Sequence, residues 1–332
     1  MISNRKFETE EGPPRVSVVM PTHQRPALLE RCLQALVNQD FAARDYEVIV
    51  ADDAASEMTR RQVERWAEHS RAHVRYVPVT RAHGPAAARN VGWRAARGEI
   101  VAFTDDDTVP ARDWLKAGTR VFVDGVAGAW GRILMPLPAK PTDYERDAAG
   151  LAEAGFVTAN CFCRRAALEA VGGFDERFEV AWREDSDLCF SLLERGMKLA
   201  HAPEAVVTHP IRPAPWGVSL RQQRKTMFDA LLYRKHPRLY RSRIPAFPAD
   251  YYATVGALAL ALGAWLSGRK SVAAGAALTW AALTGRFCAR RLCGNSRAPS
   301  HMAEMVLTSA LIPPLSLYWR WRGALKYRVF FV

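Results

Sequence analysis

At 332 residues, with 49% hydrophobic and 24% charged side chains, the chain is long enough for one large α/β domain with an appendage, or for two domains. Its net charge of +12 hides an asymmetry: residues 210–332 carry 19 Lys and Arg against 3 Asp and Glu, whereas residues 1–209 carry 27 against 31. The six cysteines (Cys32, Cys161, Cys163, Cys189, Cys288 and Cys293) read as reduced thiols, and their spacing, without companion ligands, excludes a structural zinc site.

The first fourteen residues, MISNRKFETEEGPP, form a polar tail without the apolar core of a signal peptide, so the domain that follows is expected to stay in the cytoplasm. Arg15 to Met20 is a β-branched run stopped by Pro21-Thr22. Residues 27–39 then place Leu28, Leu29, Cys32, Leu33, Leu36 and Val37 at helical spacing. A second strand, Tyr46 to Val50, ends in Asp52-Asp53, and a polar helical pattern covers residues 57–69. Val74 to Val77 reads as a third strand, Ala86 to Ala96 as a third helix, and Glu99 to Phe103 as a fourth strand. Strands alternating with helices predict a mostly parallel sheet, whose ligands gather beyond the carboxyl ends of the strands.

Past residue 250 the composition changes. Tyr251 to Ser267 carries no charge, Arg269-Lys270 interrupts, and Ser271 to Gly285 is again uncharged. Each segment is roughly 15–18 residues, near the length that spans a bilayer. A third apolar stretch, Met305 to Trp319, is broken by Pro313-Pro314 and is expected to lie in the membrane interface or to re-enter. The first two segments suit either an Ala-rich hairpin in a soluble core or a membrane hairpin with Arg269-Lys270 at its tip. The flanks favour the membrane: arginines follow the second segment, and Arg320, Arg322, Lys326 and Arg328 follow the third, interleaved with Trp319, Trp321 and Tyr327.

Chemistry concentrates at Thr104-Asp105-Asp106-Asp107, where an apolar strand delivers three adjacent carboxylates to its carboxyl end. Such a run is either a solvated acidic turn or a site where a hard cation, Mg²⁺ or Mn²⁺, offsets the repulsion and bridges to phosphate oxygens. In a parallel sheet Pro21-Thr22-His23, Asp52-Asp53 and the acid triplet all face one crevice. Asp53 is then placed to accept hydrogen bonds from a nucleobase or ribose. Gly84-Pro85-Ala86-Ala87-Ala88-Arg89-Asn90 is a small-residue helix entry suited to close ligand approach, with Arg89 available to the ligand. Trp182-Arg183-Glu184-Asp185-Ser186-Asp187-Leu188 opens another helix, and a first-turn carboxylate beside a crevice is either a dipole complement or a proton acceptor for a hydroxyl.

The runs VSVVMPTHQRPALLERCLQAL, YEVIVADDAAS, GPAAARNVGWRAARGEIVAFTDDDTVP, TANCFCRRAALEAVGGFDERF and REDSDLCFSLLERG resemble, in order and spacing, those of the family 2 glycosyltransferases, over roughly residues 15–210. The resemblance implies a Rossmann-like GT-A fold, a nucleotide-sugar donor, a divalent metal (Mg²⁺ or Mn²⁺) and inversion at the anomeric carbon. It places Asp53 at the nucleoside, with the backbone near Pro21, Thr22 and His23 framing the base. Asp105 and Asp107 fall on the ends of the family's D-x-D motif, with Asp107 the stronger candidate for direct metal ligation; Arg89, Asp105 and Asp106 are assigned to the donor side. Asp185 falls on the expected general base, Glu184 orients groups around it, and His209, ending the run Ala205 to Thr208, adds a metal ligand as in related GT-A enzymes. Two positions depart from the family pattern: Ala54-Ala55 replaces the usual Gly-Ser-like turn, and His23 replaces a common aromatic.

The resulting expectation is an α/β protein with a GT-A domain over residues 15–248 and a membrane-associated helical region over 249–332. Its activity would be inverting, metal-dependent transfer to a glycan, lipid-linked or polyprenyl-phosphate acceptor at the cytoplasmic face of a bacterial inner membrane. A processive polysaccharide synthase would carry a Q-x-x-R-W motif, which Leu220-Arg221-Gln222-Gln223-Arg224-Lys225-Thr226 does not match. A non-catalytic membrane adaptor would have lost the acid triplet or the Glu-Asp pair, and both are present. No nucleic-acid partner is expected, because the basic residues flank apolar segments instead of lining a polar face.

Overall fold

The computed structural model describes residues 12–244 and 247–331; most of the polar tail expected over residues 1–14 lies outside them. The chain divides into two compact units, one running to Met135 and resuming over Leu151–Pro210, the other comprising Pro136–Gly150 and Ile211 onward. The boundary therefore falls ahead of residue 249, where the composition changes.

The first unit begins with strands and helices in alternation: β1 (Val16–Thr22), α1 (Pro26–Val37), β2 (Tyr46–Asp52), α2 (Glu57–His69), β3 (His73–Pro78), α3 (Pro85–Arg94) and β4 (Ile100–Thr104). It continues with β5 (Val109–Pro110), α4 (Trp114–Arg120) and β6 (Val126–Leu134). After helix α5 (Asp143–Ala149), which belongs to the other unit, come β7 (Asn160–Arg164), α6 (Arg165–Val171), α7 (Glu184–Glu194) and β8 (Lys198–Thr208). The spatial order is β3-β2-β1-β4-β7-β6-β8-β5.

Pairings among β1 to β4 are all parallel, as the alternation requires, and β6 pairs with β8 in parallel. β7 is antiparallel to β4 and β6, and β5 to β8, so the sheet is mixed. β1 outruns its expected end and includes Pro21. β4 pairs with β1 only as far as Val19, so the proline, which cannot donate to a ladder, sits where one neighbour has ended. Val18, Val48, Leu33, Leu36, Trp114 and Phe162 are fully buried members of one core cluster, which fixes the strand ends that carry the polar groups.

The second unit holds α5 and the helices α8 (Val218–Gln222), α9 (Met227–Lys235), α10 (Pro237–Arg243), α11 (Ala249–Leu266), α12 (Lys270–Leu292) and α13 (Pro299–Lys326). α11 and α12 pack side by side around a turn at Gly268, and both are long and apolar enough to cross a membrane by length and composition. The reading of 305–319 as a broken segment is corrected: α13 runs unbroken through Pro313 and Pro314. Each proline removes a helix donor, but Ile312, Pro313, Ser316 and Leu317 are buried together along one face, and this packing holds the helix across the lost bonds. Arg291 joins the unit's helices, donating to Asp143 Oδ2 of α5 at 2.7 Å and to Thr308 and Ser309 of α13 at 2.7 and 3.1 Å.

Candidate active site

The acid triplet divides by direction. Asp106 is buried and faces β1, accepting from Thr22 Oγ1 at 2.8 Å and pairing with Arg25 at 3.1 Å; burial still leaves its carboxyl raised above the ordinary range. Asp105 and Asp107 face the other way and meet His209, which enters from the end of β8. Ligand atoms of these three residues lie within 4.8 Å of one another, and His209 Nε2 is 3.4 Å from Asp107 Oδ1. His209 is held there because its backbone N–H donates to Leu134 O of β6 at 2.8 Å. The turn under the carboxylates is tied by Thr108 Oγ1, which donates to Asp105 O at 2.9 Å, and by the Cys32 thiol at 3.5 Å from the same oxygen. Cys32 itself is shut off from solvent, and burial holds its thiol protonated.

Two carboxylates and an imidazole in one cluster suit a divalent cation. His209 Nδ1 is buried with no hydrogen-bond partner among the described residues, which adds an unused nitrogen on the same ring. The donor set therefore fits the metal that the sequence led one to expect.

Arg89, expected on the donor side, is almost fully buried and turned toward two acids. Its Nη2 donates to Asp105 Oδ1 at 2.7 Å and its Nη1 to Glu184 Oε1 at 3.1 Å. Burial alone would weaken its charge, yet Asp105 and Glu184 hold it firmly protonated. Burial likewise pushes Asp105 up, but Arg89 and His209 outweigh it and leave the carboxyl below its ordinary value.

Glu184 and Asp185 occupy the first turn of α7. The turn before them is tight: Arg183 adopts φ +74°, a conformation L-residues seldom take, and its guanidinium lies over the Trp182 ring at 4.7 Å. Glu184 is 3% exposed, and burial, reinforced by Asp185 and opposed by Arg89, pushes it up to about 7. Its Oε2 has no hydrogen-bond partner among the described residues. Asp185 is only partly buried; its Oδ1 accepts from Ser186 N at 2.6 Å. Burial raises its carboxyl despite that bond and nearby Arg89.

At the carboxyl end of β2 the two aspartates do different work. Asp52 is buried and folds the turn, accepting from Ala54 N, Ser56 N and Tyr76 OH. Asp53 accepts from Gly84 N at 3.1 Å and lies 3.4 Å from His23 and 3.1 Å from His83. Gly84 is required there: φ is +102°, and a Cβ would fall 2.8 Å from Glu179 O.

The structure thus brings Asp105, Asp107 and His209 together and joins them through Arg89 to Glu184. It gathers His23 and Asp53, and it ties Thr22 to Asp106. Sequence reasoning missed Arg25, Cys32, His83, Thr108 and Asn90. Asn90 clamps the loop ahead of α7, donating to Phe174 O and Glu176 at 2.8 Å and accepting from Phe174 N and Trp93 Nε1 at 2.9 and 2.8 Å. Its place directly after Arg89 was the available signal.

Comparison with known proteins agrees with this geometry. Residues 17–172 match the model described as glycosyl transferase family 2, and residues 143–321, more than half of the chain, match that of glycosyl transferase family group 2. The chain belongs to glycosyltransferase family 2. A pre-mycofactocin glycosyltransferase of Mycobacterium tuberculosis is 31% identical over 213 residues, 59% of this chain and 43% of the relative. A GalNAc(5)-diNAcBac-PP-undecaprenol beta-1,3-glucosyltransferase of Campylobacter jejuni is 32% identical over 122 residues, 37% of this chain and 39% of the relative. The chain therefore spans less than half the length of either. A solved mannosyltransferase from Pyrobaculum calidifontis, in complex with GDP-Man and Mn²⁺, shares the fold with a TM-score of 0.54 at 21% identity, over 98% of this chain and 91% of that one. Family membership accounts for the GT-A sheet.

Proposed function

We propose that this chain moves a sugar from a nucleotide-sugar donor to an acceptor hydroxyl, in one inverting step that depends on a divalent metal. The observation that carries this reading is the unbroken link from Asp105, Asp107 and His209 through Arg89 to the Glu184-Asp185 turn. Metal dependence is further supported by the fold relative solved with GDP-Man and Mn²⁺.

Asp185 is the base. It is the more open member of the acid pair, and its raised carboxyl has the basicity to take a proton from an alcohol. As that proton moves to Asp185, the acceptor oxygen bonds to the anomeric carbon, the bond from that carbon to the diphosphate breaks, and the nucleoside diphosphate leaves from the opposite face. Mg²⁺ or Mn²⁺ held by Asp105, Asp107 and His209 would supply Lewis-acid stabilisation of charge on the leaving diphosphate. Asp53 accepts hydrogen bonds from the nucleoside, with His23 and the Pro21-Thr22 backbone beside it. Asp106, tied to Thr22, keeps the nucleoside end and the diphosphate end of the site in register. Arg89 keeps Glu184 from repelling the acids around it.

The acceptor is proposed to be lipid-linked, a polyprenyl phosphate or an envelope glycan precursor. The α11–α12 hairpin supports this by its length and composition, as does the relative named for a PP-undecaprenol glycan. In this reading the hairpin inserts in a bacterial inner membrane and the catalytic residues work on its cytoplasmic side. The test is a screen of nucleotide sugars with purified full-length protein and Mn²⁺, reading nucleoside diphosphate release and transfer to a polyprenyl-phosphate acceptor. Release from one donor that disappears in Asp185→Asn supports the assignment. Release by no donor, or undiminished release by that variant, would reject it.

A further inference from the structure

Helix α13 leaves a long apolar face uncovered. The face packed within the second unit mixes apolar Met305, Ile312, Pro313 and Leu317 with polar His301, Thr308, Ser309, Ser316 and Arg320, all buried. The outer face carries Met302, Val306, Leu307, Leu311 and Tyr318, all exposed, with Val306 at 63%. A helix on a water-soluble protein turns a charged or polar face to solvent, and this outer face does not. Three of the inner polar groups have partners within the unit: Thr308 and Ser309 accept from Arg291, and His301 Nε2 accepts from Asp143 N at 3.1 Å. The outer stripe has no charged residue from Met302 to Tyr318 along the exposed face, a length of about 24 Å at the helical rise.

What surrounds the stripe says what covers it. At its carboxyl end Trp321 Nε1 donates to Tyr252 OH at 3.1 Å, at the base of α11, and Arg322 donates to Tyr318 OH at 3.0 Å. Arg286 and Arg290, near the other end of the hairpin base, are exposed and pair with Asp250. Aromatics interleaved with cations, next to continuous apolar surface, mark the headgroup level of an anionic bilayer. The inner face also holds α13 against the rest of the second unit. That face packs on α8, α9, α11 and α12, from Gly217 N on Glu304 at 2.7 Å, to Gly323, where any side chain would meet Met227 O, and Arg234 on Tyr327 O at 2.7 Å.

We propose that α13 lies in the plane of the membrane, with its outer stripe against the acyl chains and Arg322, Lys326, Arg286 and Arg290 among anionic headgroups. This rests on the membrane reading of α11–α12 and adds a second, separate contact, through which the bilayer orients the unit. The physical consequence is a helix whose average hydropathy is ordinary but whose exposed side is lipid-like, because several of its polar residues are buried on the packed face.

The experiment uses the full chain carrying Cys288→Ser and Cys293→Ser, labelled with an environment-sensitive NBD dye at Leu311→Cys, at Val306→Cys, or at Glu169→Cys on α6 as a control. Vesicles are phosphatidylcholine with or without phosphatidylglycerol, and the readouts are co-sedimentation, quenching by brominated lipid and quenching by aqueous iodide. The expected result is brominated-lipid quenching and iodide protection at 306 and 311 but not at 169, stronger with phosphatidylglycerol. Val306→Gln with Leu311→Gln should weaken partitioning roughly tenfold. Iodide quenching at 311 equal to that at 169, while the protein still sediments with vesicles, would overturn this proposal and spare the hairpin. Failure of the full chain to sediment with vesicles would overturn both. Dye burial that grows with protein concentration in the absence of vesicles would assign the stripe to a second copy of the chain and overturn the proposal.

Discussion

Arg89 Nη1 and Glu184 Oε1 meet at 3.1 Å across 95 residues of chain, and both side chains are shut away from solvent. The same guanidinium holds Asp105, so one buried cation joins the candidate metal cluster to the acidic turn of α7. Removing one partner of a buried pair leaves an uncompensated charge.

Arg89→Met is therefore expected to lower stability by about 3–5 kcal/mol, measured by urea unfolding of metal-free protein. Arg89→Met combined with Glu184→Gln should recover part of that loss, because one of the stranded carboxylates is then neutral. Unchanged stability in the single variant would show that the bridge does not organise the site.

Glu184 links stability to pH. In the folded chain it protonates at about 7, against an ordinary 4.5, so between those values the folded state binds a proton that the unfolded chain has released. Its contribution to stability is complete below the ordinary value, falls as pH rises toward 7, and is flat above. Asp185, also raised, adds in the same sense, whereas Asp105, lowered, acts at more acid pH and with opposite sign. Glu184→Gln should remove a decline on the order of 1–3 kcal/mol, seen by thermal unfolding across this window in EDTA. A wild-type profile that rises from acid to neutral pH would contradict the assignment.

Divalent metal is expected to be essential. EDTA should abolish donor turnover and Mn²⁺ should restore it. Asp107→Ala should lower turnover by about 10²-fold or more and weaken Mn²⁺ binding in calorimetry with the fold intact, since removing one acid from a repelling cluster relieves strain. Full activity in excess EDTA would dismiss the metal.

Asp185→Asn keeps size and hydrogen bonding but cannot accept the proton. Transfer should fall by about 10²-fold or more while nucleotide-sugar binding, followed by calorimetry, persists. Wild-type transfer by this variant would place the base elsewhere.

The sequence by itself determined the parallel half of the sheet, because strand and helix periodicities alternate from Val16 to Thr104 and an apolar strand ending in polar residues must deliver them to one edge. It also determined the hairpin, whose uncharged runs either side of Arg269-Lys270 became α11 and α12 within a few residues at most boundaries. Long-range pairing decided the rest. That β7 runs antiparallel to β4 is invisible in local pattern, since either direction buries the same alternate residues. Which acid of the triplet faces His209 depended on Thr22 and Arg25 drawing Asp106 aside. The sequence offered Arg89 only as available to a ligand at a small-residue helix entry; the fold set two carboxylates within its reach. Helix α13 survives Pro313-Pro314 because packing along its inner face outweighs the lost backbone bonds, a balance of tertiary contacts that no local propensity contains.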